Sequence, residues 1–169
     1  VYSDDEEGGH FAALAMKERG RKDIVAVLGP QDNPAVVDRL RGYRAVLGED
    51  LPDANVIYTG WNNGDGYQAM HQILAREIAF DGVLCGSDRI AAGVITALNE
   101  AGLSVPADVS VVGFDDHEIA TRCVPALTTV RQPLREEGHM AANIALDMIK
   151  GAEPTTSVMH MQLIQRDSL

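Results

Sequence analysis

Three short runs constrain this chain most: Ile24-Val25-Ala26-Val27-Leu28-Gly29, Gly82-Val83-Leu84-Cys85-Gly86 and Val109-Ser110-Val111-Val112-Gly113-Phe114. Each is mainly apolar and too short for a helix, as expected of strands buried on both faces of a parallel sheet. Asn55 to Thr59 adds a fourth. Helical spacing fills the gaps. Asn33-Pro34 supplies a cap and a first-turn proline, and Val36, Leu40, Tyr43 and Leu47 then share one face before Gly48. Tyr67, Met70 and Leu74 follow the second strand; Ala91, Val94 and Leu98 follow the third, closed by Gly102. Ahead of the first strand, Phe11, Leu14 and Ala15 predict a helix stopped at Gly20, with Lys17 and Arg19 in its last turn and Asp4-Asp5-Glu6-Glu7 at its positive end. Downstream come an extended piece at Leu127 to Val130, a helix carrying Ala141, Ile144, Ala145 and Met148, and a last strand from Ser157 to Ile164. Parallel strands need crossovers, so this alternation predicts an α/β fold: a mostly parallel sheet flanked by helices on both faces.

Ligands in such sheets sit beyond the carboxyl ends of the strands, where the strand order switches. Those positions hold Asp32, Asn33 and Arg39 after the first strand, Trp61-Asn62-Asn63 after the second, Ser87-Asp88 after the third and Asp115-Asp116 after the fourth. A guanidinium and a carboxylate can each make paired hydrogen bonds to adjacent hydroxyls or ring nitrogens, and an indole covers the apolar side of a sugar or base. The set suits a small polar ring. The competing structural roles are a loop position for Trp61, a solvated helix charge for Arg39 and helix caps for Ser87 and Asp115.

Composition narrows the chemistry. Fourteen Lys and Arg against 25 Asp and Glu give a net charge of −11, which repels phosphate backbones, and no basic patch offsets it. No apolar run approaches the ~20 residues needed to cross a bilayer. Cys85, in an apolar strand, and Cys123, in a loop, fit neither a disulfide framework nor a zinc site, which points to a reducing, cytoplasmic setting. No glycine-rich dinucleotide or phosphate loop follows a strand, and Gly86-Ser87-Asp88 is not a nucleophile elbow. Only His117, within Asp115-Asp116-His117-Glu118, has close carboxylates, the weak basis for a metal-dependent enzyme. No metal, cofactor or catalytic residue is assigned. The opening Val1-Tyr2-Ser3-Asp4-Asp5 carries neither an initiator Met nor a charged, apolar leader, so the chain reads as part of something longer.

At Val111 to Asp116, then Pro125-Ala126-Leu127-Thr128-Thr129-Val130-Arg131-Gln132-Pro133 and Gly138, the sequence resembles the effector-binding region of LacI/GalR-family transcriptional regulators. Gly8-Gly9 with Ala12, Arg39 with Gly42-Tyr43, Gly66-Tyr67 with Ala69-Met70, Ser87-Asp88 with Ala92-Gly93, and Leu163-Ile164 with Arg166 and Ser168 agree in order, so the resemblance covers essentially the whole chain. It implies one lobe of a two-lobed module of the periplasmic-binding-protein type, with the DNA-binding headpiece and most of the first lobe absent. Residues 1–23 would end the first lobe, 24–127 form the second, 128–151 supply a crossover and first-lobe helix, and 152–169 a strand returning to the second. It further implies a small-molecule effector of the sugar class, operator DNA reached only through the headpiece, a homodimer and no membrane. Arg39 would grip the effector, Trp61 stack on it and Asp115 accept its hydroxyl or N–H groups. Gln132 would line the cleft, Ser87 stand where sugar-responsive members often carry Asn, and Asn33 occupy a variable position. Arg21, in place of a frequent Gly-His pair, is read as surface drift. Met140, Ile144 and Met148 would form an apolar stripe facing the missing lobe or a swapped partner. The alternative is an exported sugar-binding protein of a transporter; the Pro125 to Pro133 crossover and the Arg166-Asp167-Ser168 ending favour the regulator.

Overall fold

The computed structural model describes residues 1–76 and 78–169. Strands and helices alternate as β1 (Tyr2–Ser3), α1 (Asp5–Glu18), β2 (Ile24–Leu28), α2 (Pro34–Leu47), β3 (Val56–Tyr58), α3 (Asn63–Leu74), β4 (Gly82–Cys85), α4 (Asp88–Glu100), β5 (Ser110–Asp115), α5 (Glu118–Arg122), β6 (Thr128–Arg131), α6 (Leu134–Ile149), β7 (Val158–Met159) and β8 (Gln162–Ile164). Six of the strands form one sheet in the order β3-β2-β4-β5-β6-β8. All its pairings are parallel except β6 with β8. Among the described residues, no helix is long and apolar enough to cross a membrane.

The two-residue period of the strands sorts the apolar side chains into two cores. Ile24, Ala26, Leu28, Leu84, Val112, Phe114 and Val130 pack with α1 and α2. Val25, Val27, Val83, Cys85, Val111 and Leu127 pack with α3 and α4. Both helix pairs cross at glycine. A Cβ on Gly42 would lie 2.1 Å from the Glu6 carbonyl oxygen, and one on Gly93 would lie 1.9 Å from that of Asn63, so only glycine lets these backbones touch. Local signals set the helix ends: the Asn33 side chain accepts from Ala35 N–H at 3.0 Å, Pro34 opens α2, and Gly48 ends it at φ +55°.

Several details differ from the sequence expectation. The strand expected from Ser157 to Ile164 is broken in two: β7 pairs with β1, and β8 joins the edge of the main sheet. Glu7 makes the break, because its carboxylate accepts the Met161 N–H at 2.9 Å and turns the chain between the two sheets. The acidic loop after β5 contains the short helix α5, capped by the His117 ring. Arg21 is not surface drift. Its guanidinium donates to Ser110 Oγ at 2.9 Å and to the Pro106 carbonyl, tying the chain entering β2 to the chain entering β5.

One part stands apart. No residue of α6 is buried; Met140 and Met148 are exposed and Ile144 is partly covered, as the apolar-stripe expectation had it. Ser3 Oγ donates to Glu137 at 3.0 Å, linking α6 to the small β1-β7 pair.

Candidate functional site

From β2 the chain moves outward to β3, then returns past β2 to build β4, β5 and β6 on the other side. The carboxyl ends of β2 and β4 therefore flank the point where the order switches. Gly29 and Gly86 face one another there: a Cβ on Gly86 would lie 3.1 Å from Gly29 N, and one on Gly29 only 2.4 Å from the Trp61 ring. The indole thus lies directly on the backbone at the switch point, packed against both cores.

On the other side of Gly86 stands Arg39, only 4% exposed although charged. Helix α2 delivers it, and two acceptors hold it, Asp5 Oδ1 at 2.7 Å from Nε and the Gly86 carbonyl, while Asp115 Oδ1 stands 3.8 Å from Nη1 as an ion-pair neighbour. Its guanidinium carbon also lies 3.8 Å above the centre of the Phe114 ring, which adds a cation–π attraction. Gln132 Nε2 donates to Asp115 Oδ1 at 2.5 Å, fixing the carboxylate from the β6 side. Burial pushes the Asp115 carboxyl above its ordinary range, opposed by the Arg39 charge and the Gln132 hydrogen bond. Asp115 and Asp116 sit at φ +110° and +54°, backbone conformations that side chains other than glycine adopt at a cost.

The structure thus joins Arg39, Asp115 and Gln132 directly and sets the Trp61 ring against Gly29, across the Gly29-Gly86 approach from them. Ser87 and Asn33 stand at the same end of the sheet with their side chains engaged as caps. Ser87 Oγ accepts from Ile90 N–H at 3.2 Å at the start of α4, and Asn33 caps α2. Beside Asp115 and Gln132 opens a concavity of about 510 Å³, also lined by Arg131, Arg135, Glu136 and Gln162. Asp115 and Gln132 line this concavity, whereas Arg39 and Trp61 lie outside its wall.

Sequence reasoning misses two members, Asp5 and Phe114, and the role of a third, Asp88, which it names only as a strand-end position. Asp5 was read as an acid stabilising a helix N-terminus, whereas it is the main counter-ion of Arg39. Phe114 was read only as core. Asp88, fully buried, accepts from His117 N–H at 2.7 Å and from the Thr129 hydroxyl at 2.5 Å, pinning the turn that carries Asp115. Burial raises the Asp88 carboxyl from 3.8 to about 7 against the pull of those two hydrogen bonds. Burial also works against the charge of Asp116, yet the bonds from Arg166 at 2.5 Å and Arg131 at 2.7 Å outweigh it and hold that carboxyl below its ordinary range. Among the described residues, no group of three or more His, Cys, Asp or Glu is placed to hold a metal ion.

A doubly wound sheet with helices on both faces and a topological switch point is the architecture of a periplasmic-binding-protein-like lobe. The chain belongs to the periplasmic binding protein-like domain family, whose model matches residues 13–169. Among curated relatives it is 38% identical over 168 residues to the HTH-type transcriptional repressor PurR of Escherichia fergusonii, covering 96% of this chain and 49% of that protein. Two solved structures are similar. The transcriptional regulator CelR in its cellobiose complex superposes with a TM-score of 0.93 at 34% identity, over 99% of this chain and 54% of that one. A sugar-binding transcriptional regulator of the LacI family from Escherichia coli, complexed with phosphate, gives a TM-score of 0.92 at 30% identity, over 100% of this chain and 62% of that one. The resemblance to LacI-family regulators is borne out, and these relatives are regulators rather than enzymes. The chain spans about half the length of the curated relatives it matches.

Proposed function

We propose that this chain is the ligand-sensing part of a LacI/GalR-type transcriptional regulator, binding a small sugar or related polar metabolite between two lobes. Residues 24–127 form the body of the second lobe, with α1 packed into its core and β6 and β8 completing its sheet. The β1-β7 pair and α6, which stand off the main sheet, belong to the first. One observation carries the reading: Arg39, Asp115 and Gln132 converge at the switch point with the Trp61 ring laid on the adjoining backbone. Paired donors and acceptors around a flat ring suit a polyhydroxylated or heterocyclic ring. Ser87 and Asn33 border that site, and the effector closes it by preferring the closed arrangement. Closure in a cytoplasmic homodimer changes how the headpieces, outside this chain, meet operator DNA. With a net charge of −11, this half of the protein does not itself engage the phosphate backbone. The repressor relatives favour this over an exported transporter component of the same fold.

The test is calorimetric titration of the full-length protein with ribose, glucose, cellobiose and adenosine, beside its Asp115→Ala variant. A member of the panel should bind the wild type and lose at least about tenfold in affinity in the variant, since a lost charge-assisted hydrogen bond is worth about that much. Undiminished binding in Asp115→Ala removes the site.

A further inference from the structure

We propose that the cleft selects neutral ligands over anionic ones, and that Asp5 sets this selection as the resident counter-ion of Arg39. The inference rests on the reading above and adds the charge class of the effector. A buried arginine at a ligand site ordinarily invites phosphate or carboxylate. Here its charge is already spent. Asp5 holds Nε at 2.7 Å and Asp115 stands 3.8 Å from Nη1, so two carboxylates face one guanidinium. Asp4 and Asp38 add negative potential at Asp5. The other basic groups near Asp115 do not reverse the balance. Arg131 and Arg166 are both taken up by Asp116, and the His117 ring is engaged in capping α5. Arg135 and Glu136 line the adjoining concavity as an opposed pair of charges. A phosphate ester or carboxylate entering the cleft would add a third negative charge beside Asp115. A neutral ring instead offers O–H or N–H donors to the Asp115 oxygen that Gln132 leaves free. Asp5 is therefore a specificity residue, acting on the ligand through Arg39.

The experiment is calorimetric titration of the full-length protein with ribose, glucose, cellobiose and adenosine, each beside its phosphate ester, and with inorganic phosphate alone. The wild type, Asp5→Asn and Asp115→Ala are compared. Asp5→Asn keeps the side-chain shape and an oxygen acceptor for Arg39 Nε, and circular dichroism confirms that the variant is folded. The expected result is a neutral member that binds, an ester at least about 100-fold weaker, and a gap at least about tenfold narrower in Asp5→Asn. An ester or phosphate that binds the wild type as tightly as the neutral member, or a gap unchanged in Asp5→Asn, overturns the inference while leaving the cleft as the effector site. Binding of both members undiminished by Asp115→Ala, or no binding by any member, overturns the proposed function and this inference with it.

Discussion

Asp88 gives the sharpest quantitative test of how the site is held. It is fully buried, and its carboxyl is raised from 3.8 to about 7. Between about pH 4 and pH 7 the folded state keeps a proton that the unfolded chain has released, so this group makes stability fall as pH rises through that window. At about 1.4 kcal/mol per unit the full loss is about 4 kcal/mol, complete above pH ~7 and absent below pH ~4. Asp88→Asn removes the titration and keeps the shape. The amide oxygen can accept from His117 N–H while its NH₂ donates to Thr129 Oγ, so both contacts are kept with the Thr129 bond reversed in direction. Urea unfolding followed by circular dichroism near pH 5 and near pH 8 reads the effect. Relative to wild type, the variant should gain about 3 kcal/mol between the two conditions, with an unchanged urea dependence. The shifts of Asp5, Asp115 and Asp116 remain in both proteins and largely cancel in the difference. Parallel stability changes in variant and wild type would refute the assignment of a proton to Asp88.

Other substitutions probe the frame. Gly93→Ala places a methyl 1.9 Å from the Asn63 carbonyl oxygen and should cost about 3 kcal/mol in urea unfolding, because two helix backbones must separate. Gly64→Ala, in open space on α3, should instead stabilise by about 0.5 kcal/mol. Asn33→Ala should lower stability by about 1 kcal/mol through loss of the α2 cap. Arg21→Ala should cost about 1–2 kcal/mol and speed amide exchange at Ser110 and Val111, because the bonds joining the β2 and β5 entries are lost.

What was legible in this chain was local or periodic. Continuous apolar runs announced β2, β4 and β5, and the cap at Asn33, the proline after it and Gly48 marked both ends of α2. Strand polarity followed from the crossovers, and with it the end of the sheet where Arg39, Trp61 and Asp115 meet. The short elements were not legible. β1 and β7 have two residues each and exist because they pair with one another across most of the chain, a contact no local pattern encodes. The break between β7 and β8 depends on Glu7, more than 150 residues earlier in the chain than the Met161 amide it captures.

The same limit explains which site residues escaped. In sequence Asp5 sits in an acidic run at a helix start, where any carboxylate gains from the helix dipole, so its neighbours Glu6 and Glu7 look equivalent to it. The fold separates them. Glu6 meets Arg41 at the surface, Glu7 holds the β7-β8 turn, and Asp5 alone reaches the buried face of α2 where Arg39 lies. The close crossing at Gly42 makes this possible, because it brings the α1 backbone within reach of α2 side chains that a bulkier residue would hold away. The glycines that read as family punctuation are thus the physical cause of the Asp5-Arg39 pair. A residue introduced at Gly42 would change the charge presented to the effector as well as the packing of the two helices.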